Sequence, residues 1–212
     1  MLKIEIKSKT YSNDIVLKNL ELEITEPGLY GLIGKNGQGK TTLFKCALGL
    51  EKYEGKSYLG KEKVSLINTA FCPAEPILYD ELTTEEFNKF YAKLFMLEPS
   101  KDYLFDLPKD KLIKQFSTGM KKKTYLNALF QKDFLVYFLD EPFNGLDIEA
   151  NYILLNYLKE KSKTSIIIIS SHIIDVLYKN CKGIYMLKNN KTTYFNHLEF
   201  DQLEIAFFNN QS

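Results

Sequence analysis

Nine residues, GKNGQGKTT at positions 34–42, narrow the folds open to this chain more than any other stretch. They follow a short apolar run, residues 29–33, and open a segment, TTLFKCALGL, whose apolar residues recur at helical spacing. A strand that turns through glycines into a helix is a specific piece of architecture. The glycines let backbone N–H groups turn inward as a nest for anionic oxygens, and the helix N-terminus adds a partial positive charge. The pattern G-x-x-x-x-G-K-[ST] assigns Gly34, Lys35, Asn36, Gly37, Gln38 and Gly39 to a phosphate cradle. Lys40 is placed to bridge the β- and γ-phosphates of a nucleotide, the Thr41 hydroxyl to bind Mg²⁺, and Thr42 to support the α-phosphate region.

The surrounding periodicity supplies the matching sheet. Strands are predicted at residues 2–6, 20–24, 29–33, 56–59, 64–71, 134–139, 165–169, 183–187 and 191–195. Helices are predicted over 83–97, 119–131, 148–161, 173–178 and 198–208, after the one that follows the glycines. Unbroken apolar strands alternating with helices imply a parallel sheet covered on both faces, and residues 83–114 read as a helical insertion. The chain of 212 residues suits one domain, or one domain with a small subdomain.

Composition excludes some partners. The net charge of +1 gives no global basic field, so nucleic acid is not expected. The longest apolar runs, FLVYFL and IIII, fall far short of the roughly 20 residues of a membrane helix. Cys46, Cys72 and Cys181 are widely spaced without a CxxC pair, as reduced buried thiols are. The sequence has no arginine, so any role needing a planar bidentate fork falls to lysine or to nothing.

Three further stretches bear on chemistry. FLVYFLDEP, residues 134–142, is an apolar strand ending in two acids. Alone, that is most simply a strand meeting solvent. Beside the phosphate loop, Asp140 is placed to hold Mg²⁺ and Glu141 to polarise an attacking water. Adjacent acids on a strand point to opposite faces, which gives them different roles. IIIISSH, residues 166–172, sets His172 beyond another buried strand. A lone histidine is ordinarily structural, but at the carboxyl end of a parallel strand it suits a sensor of the γ-phosphate. His197 has no such setting and reads as surface. QFSTGMKKK, residues 115–123, places Ser117 and Gly119 at a second helix start with no strand before it. It offers hydrogen bonds to another anion, and one nucleotide cannot occupy both places. Its lysines read as a solvated face.

In this order, GKNGQGKT, FSTGM, LVYFLDEP, NGLD and SSH resemble the nucleotide-binding subunit of ABC transporters, over nearly the whole chain. The resemblance implies a P-loop NTPase fold of α/β class. Its parts would be a mainly parallel core sheet, an N-terminal antiparallel β subdomain and a small α-helical subdomain bearing the signature motif. As one domain over 1–212, the core and β subdomain would take 1–82 and 132–212, and the helical part about 83–131. It implies ATP and Mg²⁺ as ligands, with Thr41 and Asp140 at the metal, and Glu141, His172 and Lys40 as the catalytic set. Ser117, Gly119 and Met120 stand in the signature, with Thr118 and Met120 departing from its usual Gly and Gln. That signature closes on the ATP of a second subunit, a copy or a paralogue, which accounts for the second anion site. Asp147 ends the NGLD loop coupling the two sites, and Tyr11 is spaced to stack on adenine. STGM with its basic residues most resembles compact bacterial exporter ATPases. The implied protein is a cytoplasmic ATPase, peripheral on the inner face of the membrane through a separate transmembrane subunit. The alternatives are a soluble non-transport ABC ATPase and a catalytically weak regulatory partner in a heterodimer. Lys123 stands where many relatives have arginine.

One corner departs from that pattern. FCPAEPILYD, residues 71–80, aligns with the loop where a glutamine normally reaches the Mg²⁺ and the attacking water, and Ala74 holds its place. The sequence favours water in the vacant position over Glu75, because a carboxylate near the γ-phosphate adds repulsion.

Overall fold

The computed structural model describes residues 1–100, 102–172 and 174–208. In chain order the elements are β1 (Leu2–Tyr11), β2 (Asp14–Ile24), β3 (Gly28–Ile33), α1 (Lys40–Ala47), β4 (Glu54–Leu59), β5 (Glu62–Lys63) and β6 (Thr69–Cys72). There follow α2 (Thr84–Leu94), α3 (Thr118–Leu129), β7 (Val136–Asp140), α4 (Ile148–Lys161), β8 (Ile166–Ser170), α5 (Ile174–Asn180), β9 (Gly183–Lys188), β10 (Lys191–Asn196) and α6 (Phe200–Phe208). Short 3-10 turns at Ile113–Gln115 and His197–Glu199 precede α3 and α6.

The strands form two sheets. The antiparallel one has the order β2-β1-β4-β5; the other has the order β10-β9-β3-β8-β7-β6. In the second, β9, β3, β8, β7 and β6 run parallel and β10 closes one edge as an antiparallel hairpin strand. Its five parallel strands are buried on both faces, which is why they read as apolar runs, whereas the edge strand β10 is largely exposed. Along β8, Ile166 and Ile168 join the core shared with the antiparallel sheet and α1. Ile167 and Ile169 join the opposite core beneath α3, α4, α5 and α6. Phe44 of α1 meets Phe138 of β7 with ring centroids 5.2 Å apart, so α1 is clamped between the two sheets.

The central strand β3 lies between β8 and β9, and the chain leaves its carboxyl end into the glycine loop. In open parallel sheets this is where ligands bind. The section after β6 is tied on separately. Thr83 caps α2 in a reciprocal box with Glu86, and Phe87, Ile113 and Ala128 bury together between α2 and α3. The Tyr125 hydroxyl donates to the Phe71 carbonyl at 3.1 Å, fastening α3 to the end of β6.

Some boundaries differ from the sequence reading. The strand expected over 64–71 is confined to β6, because residues 65–68 fold into a turn. There the Asn68 amide oxygen accepts from the Ser65 N–H, and the Ser65 carbonyl accepts from both the N–H and the hydroxyl of Thr69. The helix expected to reach residue 97 ends at Leu94. Met96 turns left-handed (φ 59°), and the N–H groups of Met96 and Leu97 donate back to the carbonyls of Lys93 and Ala92. β1 and β2 run longer than predicted and meet at Tyr11 and Asp14, with Ser12 left-handed at the turn. The helix expected at 173–178 is α5, Ile174–Asn180, and Ile173 lies outside the described residues. All three cysteines are free and buried.

Candidate functional site: a phosphate loop with two acids and a histidine

The loop between β3 and α1 is shaped by its glycines. Gly37 (φ 80°) and Gly39 (φ 100°) are left-handed, where a side chain is strained. Gly34 is excluded from substitution by space: a Cβ there would sit 2.8 Å from the Leu187 carbonyl oxygen. Gln38 braces the loop from within, its side-chain oxygen accepting from the Lys35 N–H at 3.0 Å. No side chain caps α1 and no acid lies in its first turn, so its leading N–H groups are offered to an outside anion.

Lys40 is nearly buried, and its ammonium crosses the loop to donate to the Gly34 carbonyl at 2.7 Å. Burial pulls its pKa down, while the charges of Glu141 and Asp140 push the other way. An ammonium so held gains from a phosphate placed in the same loop. The Thr41 hydroxyl donates to the Asp140 carboxylate at 2.5 Å, and the Ser170 hydroxyl donates to the other oxygen of that carboxylate. Among the described residues no three His, Cys, Asp or Glu side chains gather as a metal site. Two hard oxygens beside a phosphate cradle fit Mg²⁺, which keeps few protein ligands and fills its shell with phosphate oxygens and water.

Asp140 ends β7, and Glu141 has already left the strand in a left-handed conformation, φ 46°. The two carboxylates therefore diverge through that turn rather than through strand alternation. The Glu141 N–H donates to the carbonyl and hydroxyl of Ser170, at 3.2 and 3.0 Å. Its carboxylate lies 3.0 Å from Nδ1 of His172, a residue half exposed after β8. His197 is exposed in the turn before α6.

Ser117 caps α3, its hydroxyl accepting from the Met120 N–H at 3.3 Å, and Gly119 falls inside the first turn rather than ahead of it. The first turn of α3 bears no acid, and Ser117 is exposed. A Cβ on Gly119 would sit 2.4 Å from the Gly145 carbonyl oxygen, so glycine lets α3 press on the 144–147 loop. Asp147 caps α4 by accepting from the Ala150 N–H at 2.8 Å, and Lys123 donates to its other oxygen at 2.7 Å. The Lys123 ammonium, followed by the cap bond, holds the Asp147 carboxyl below its ordinary pKa. Tyr11 ends β1 with the Lys9 ammonium 4.1 Å from its ring centroid. From that sheet it is Val16 and Leu17 that reach the loop, as the first atoms a Cβ on Gly39 would strike.

Three participants escaped the sequence reading. Ser170 carries the signal SSH yet has no motif of its own. Val16 looks like any strand residue. Lys122, read as part of a solvated run, is only 3% exposed and donates to the Glu141 carbonyl at 2.8 Å.

A P-loop between a parallel sheet and a helix, with a carboxylate bonded to its threonine, defines a nucleotide-binding α/β cassette. The sequence profile of the ABC transporter family matches residues 17–144, and the chain belongs to that family. It is 32% identical over 200 residues to the uncharacterized ABC transporter ATP-binding protein YthP of Bacillus subtilis strain 168, covering 89% of this chain and 83% of that one. It is 27% identical over 212 residues to the SkfA peptide export ATP-binding protein SkfE of the same organism, covering 90% and 87%. A solved structure described as the ATP binding subunit of an ABC transporter superposes with a TM-score of 0.87 at 25% identity, over 98% of this chain and 94% of that one. The fold is that of the family's ATP-binding subunits, and the family binds ATP, generally with Mg²⁺. Among the described residues no helix is long and apolar enough to cross a membrane.

Proposed function

We propose that this chain is the ATP-hydrolysing subunit of a transporter whose membrane-spanning part is a separate chain, and that two such subunits close head-to-tail on two ATP. The observation that carries this is the meeting of Lys40, Thr41, Asp140, Glu141 and His172 at the carboxyl ends of β3, β7 and β8. Lys40 and the α1 N-terminus bind and orient the triphosphate. Thr41 and Asp140 would hold Mg²⁺, which would supply positive charge against the phosphates. Glu141 positions and polarises the attacking water, and His172, in reach of its carboxylate, holds that group in place. Ser117, Gly119 and Met120 present the α3 N-terminus to the nucleotide of the facing subunit, with Asp147 on the adjoining loop. Tyr11 stacks on adenine. Residues 83–131 move as the helical part of one domain, and the exposed Ile77 and Tyr79 after the Ala74 corner suit a docking surface for the membrane chain. Peptide export by the relative SkfE supports an exporter, working from the cytoplasmic face.

Removing the polarising carboxylate tests the core of this reading. Glu141→Gln should lower turnover by on the order of 10²–10³ and accumulate an ATP-bound dimer on size exclusion. Unchanged turnover would take Glu141 out of this role. A pull-down that returned ribosomes or DNA instead of a membrane protein would replace transport by a soluble function.

A further inference from the structure

Lys122 is an ammonium in a place where lysine is rarely found. It projects from the second turn of α3, and its Nζ donates to the Glu141 carbonyl oxygen. Burial lowers its pKa, opposed by Cys72, Asp140, Glu141 and Glu75 around it. Its ammonium therefore feels both the Cys72–Glu75 corner and the two acids of the site, and touches the backbone of the second acid.

Glu141 needs such support. Its left-handed backbone is disfavoured for any residue with a Cβ and persists only when the surroundings hold it. The N–H is held by Ser170, and the carbonyl by Lys122 and by the Asn144 N–H at 3.2 Å. Ser170 and Asn144 belong to the same end of the sheet as Glu141. Lys122 alone comes from α3, the helix that bears Ser117 and Gly119 at its start. Lys122 lies five positions after Ser117, about 7.5 Å along a rigid helix, so a displacement of one end is a displacement of the other.

We propose that Lys122 is a positioning residue that ties the backbone of Glu141 to α3. In this way the engagement of the α3 N-terminus by the facing subunit's ATP sets the aim of the carboxylate in the chain's own site. The inference rests on the function proposed above and adds a cross-site linkage to it. The lysine does not touch the nucleotide; it acts through the geometry of Glu141.

Lys122→Met removes the donor and the charge at similar volume, and Lys122→Gln keeps a neutral donor. Neither should prevent folding, because a buried charge replaced by a group of similar size sheds its desolvation cost. In the nucleotide-free protein, amide exchange over residues 140–146 should quicken about tenfold in Lys122→Met, the loss of one hydrogen bond, with the rest of the sheet unchanged. With ATP, kcat should fall about 10- to 100-fold with KM within twofold, since a misaimed group costs rate rather than binding. Lys122→Gln should recover part of that loss at the same thermal midpoint. Unchanged kcat and exchange in Lys122→Met would overturn the proposal, as would losses in both variants that simply follow their melting temperatures. Adding Lys122→Met to Glu141→Gln should still give the ATP-bound dimer, so the two proposals fail separately. If the wild-type chain neither hydrolyses ATP nor dimerises, the function and the cross-site linkage both fall, and the exchange experiment decides only whether Lys122 holds the Glu141 backbone.

Discussion

Gly119 shows how far a single side chain is constrained here. Its place in the first turn of α3 would tolerate alanine on helix propensity alone, and alanine would ordinarily be the better helix former. The obstacle is tertiary: a Cβ would lie 2.4 Å from the Gly145 carbonyl oxygen, and that contact is with backbone, which cannot swing aside. Gly119→Ala must separate α3 from the 144–147 loop. Gly145 is itself left-handed at φ 80°. We expect Gly119→Ala to lose about 1–3 kcal/mol of stability, the range for overpacking a close contact, read as a lower urea midpoint. A variant as stable as the wild type would mean that the loop yields and that the contact is not a constraint. The same reasoning explains Ser170, whose hydroxyl serves Asp140 and whose carbonyl and hydroxyl accept from Glu141, so one small residue sets two acids.

The helix that Gly119 begins has two separable duties at its start. Ser117 stabilises α3 by accepting from the Met120 N–H, and its exposed hydroxyl is also the donor proposed for a neighbouring nucleotide. Ser117→Ala should cost about 1 kcal/mol of stability, whereas Ser117→Gly should cost only a few tenths, because glycine is tolerated at a helix N-cap. Both remove the hydroxyl, so both should weaken ATP-dependent dimerisation equally. Chemical denaturation beside size exclusion with ATP separates the duties, and dimerisation that tracked stability would show that the hydroxyl serves the cap alone. What could be read from sequence divides along a similar line. The strand–glycine–helix of β3 and α1 and the buried run of β8 were readable because periodicity and glycine spacing are local. The end of α2 was not, since the left-handed turn at Met96 has no glycine to announce it. Residues 65–68 were misread as strand because the Asn68 side chain diverts the backbone into a turn. Lys122 was out of reach altogether: three consecutive lysines look alike, and only the packing of α3 against β6 and β7 buries the middle one.

Across the assembled protein, the decisive question is whether each ATP site is shared by two chains. The α1 start and the α3 start are both free of acids, α1 without a side-chain cap and α3 capped by the Ser117 hydroxyl, yet they belong to different elements of one chain. If they served one nucleotide in one chain, a defect at either would be confined to that chain. If two chains close head-to-tail, each site takes Lys40 from one and Ser117 from the other, as a two-fold axis requires of a shared interface. Mixing then restores what single variants lose. Lys40→Ala removes the cation proposed to bind phosphate, and Ser117→Arg sets bulk and a side chain where the facing nucleotide would approach; each alone should be inactive. Combined in equal amounts and allowed to exchange, half of the dimers would be mixed and each would have one intact site of its two. ATPase activity should therefore return to about one quarter of the wild-type value, when the sites fire independently. Absence of recovery, with exchange verified by differently tagged chains, would rule against composite sites that fire independently.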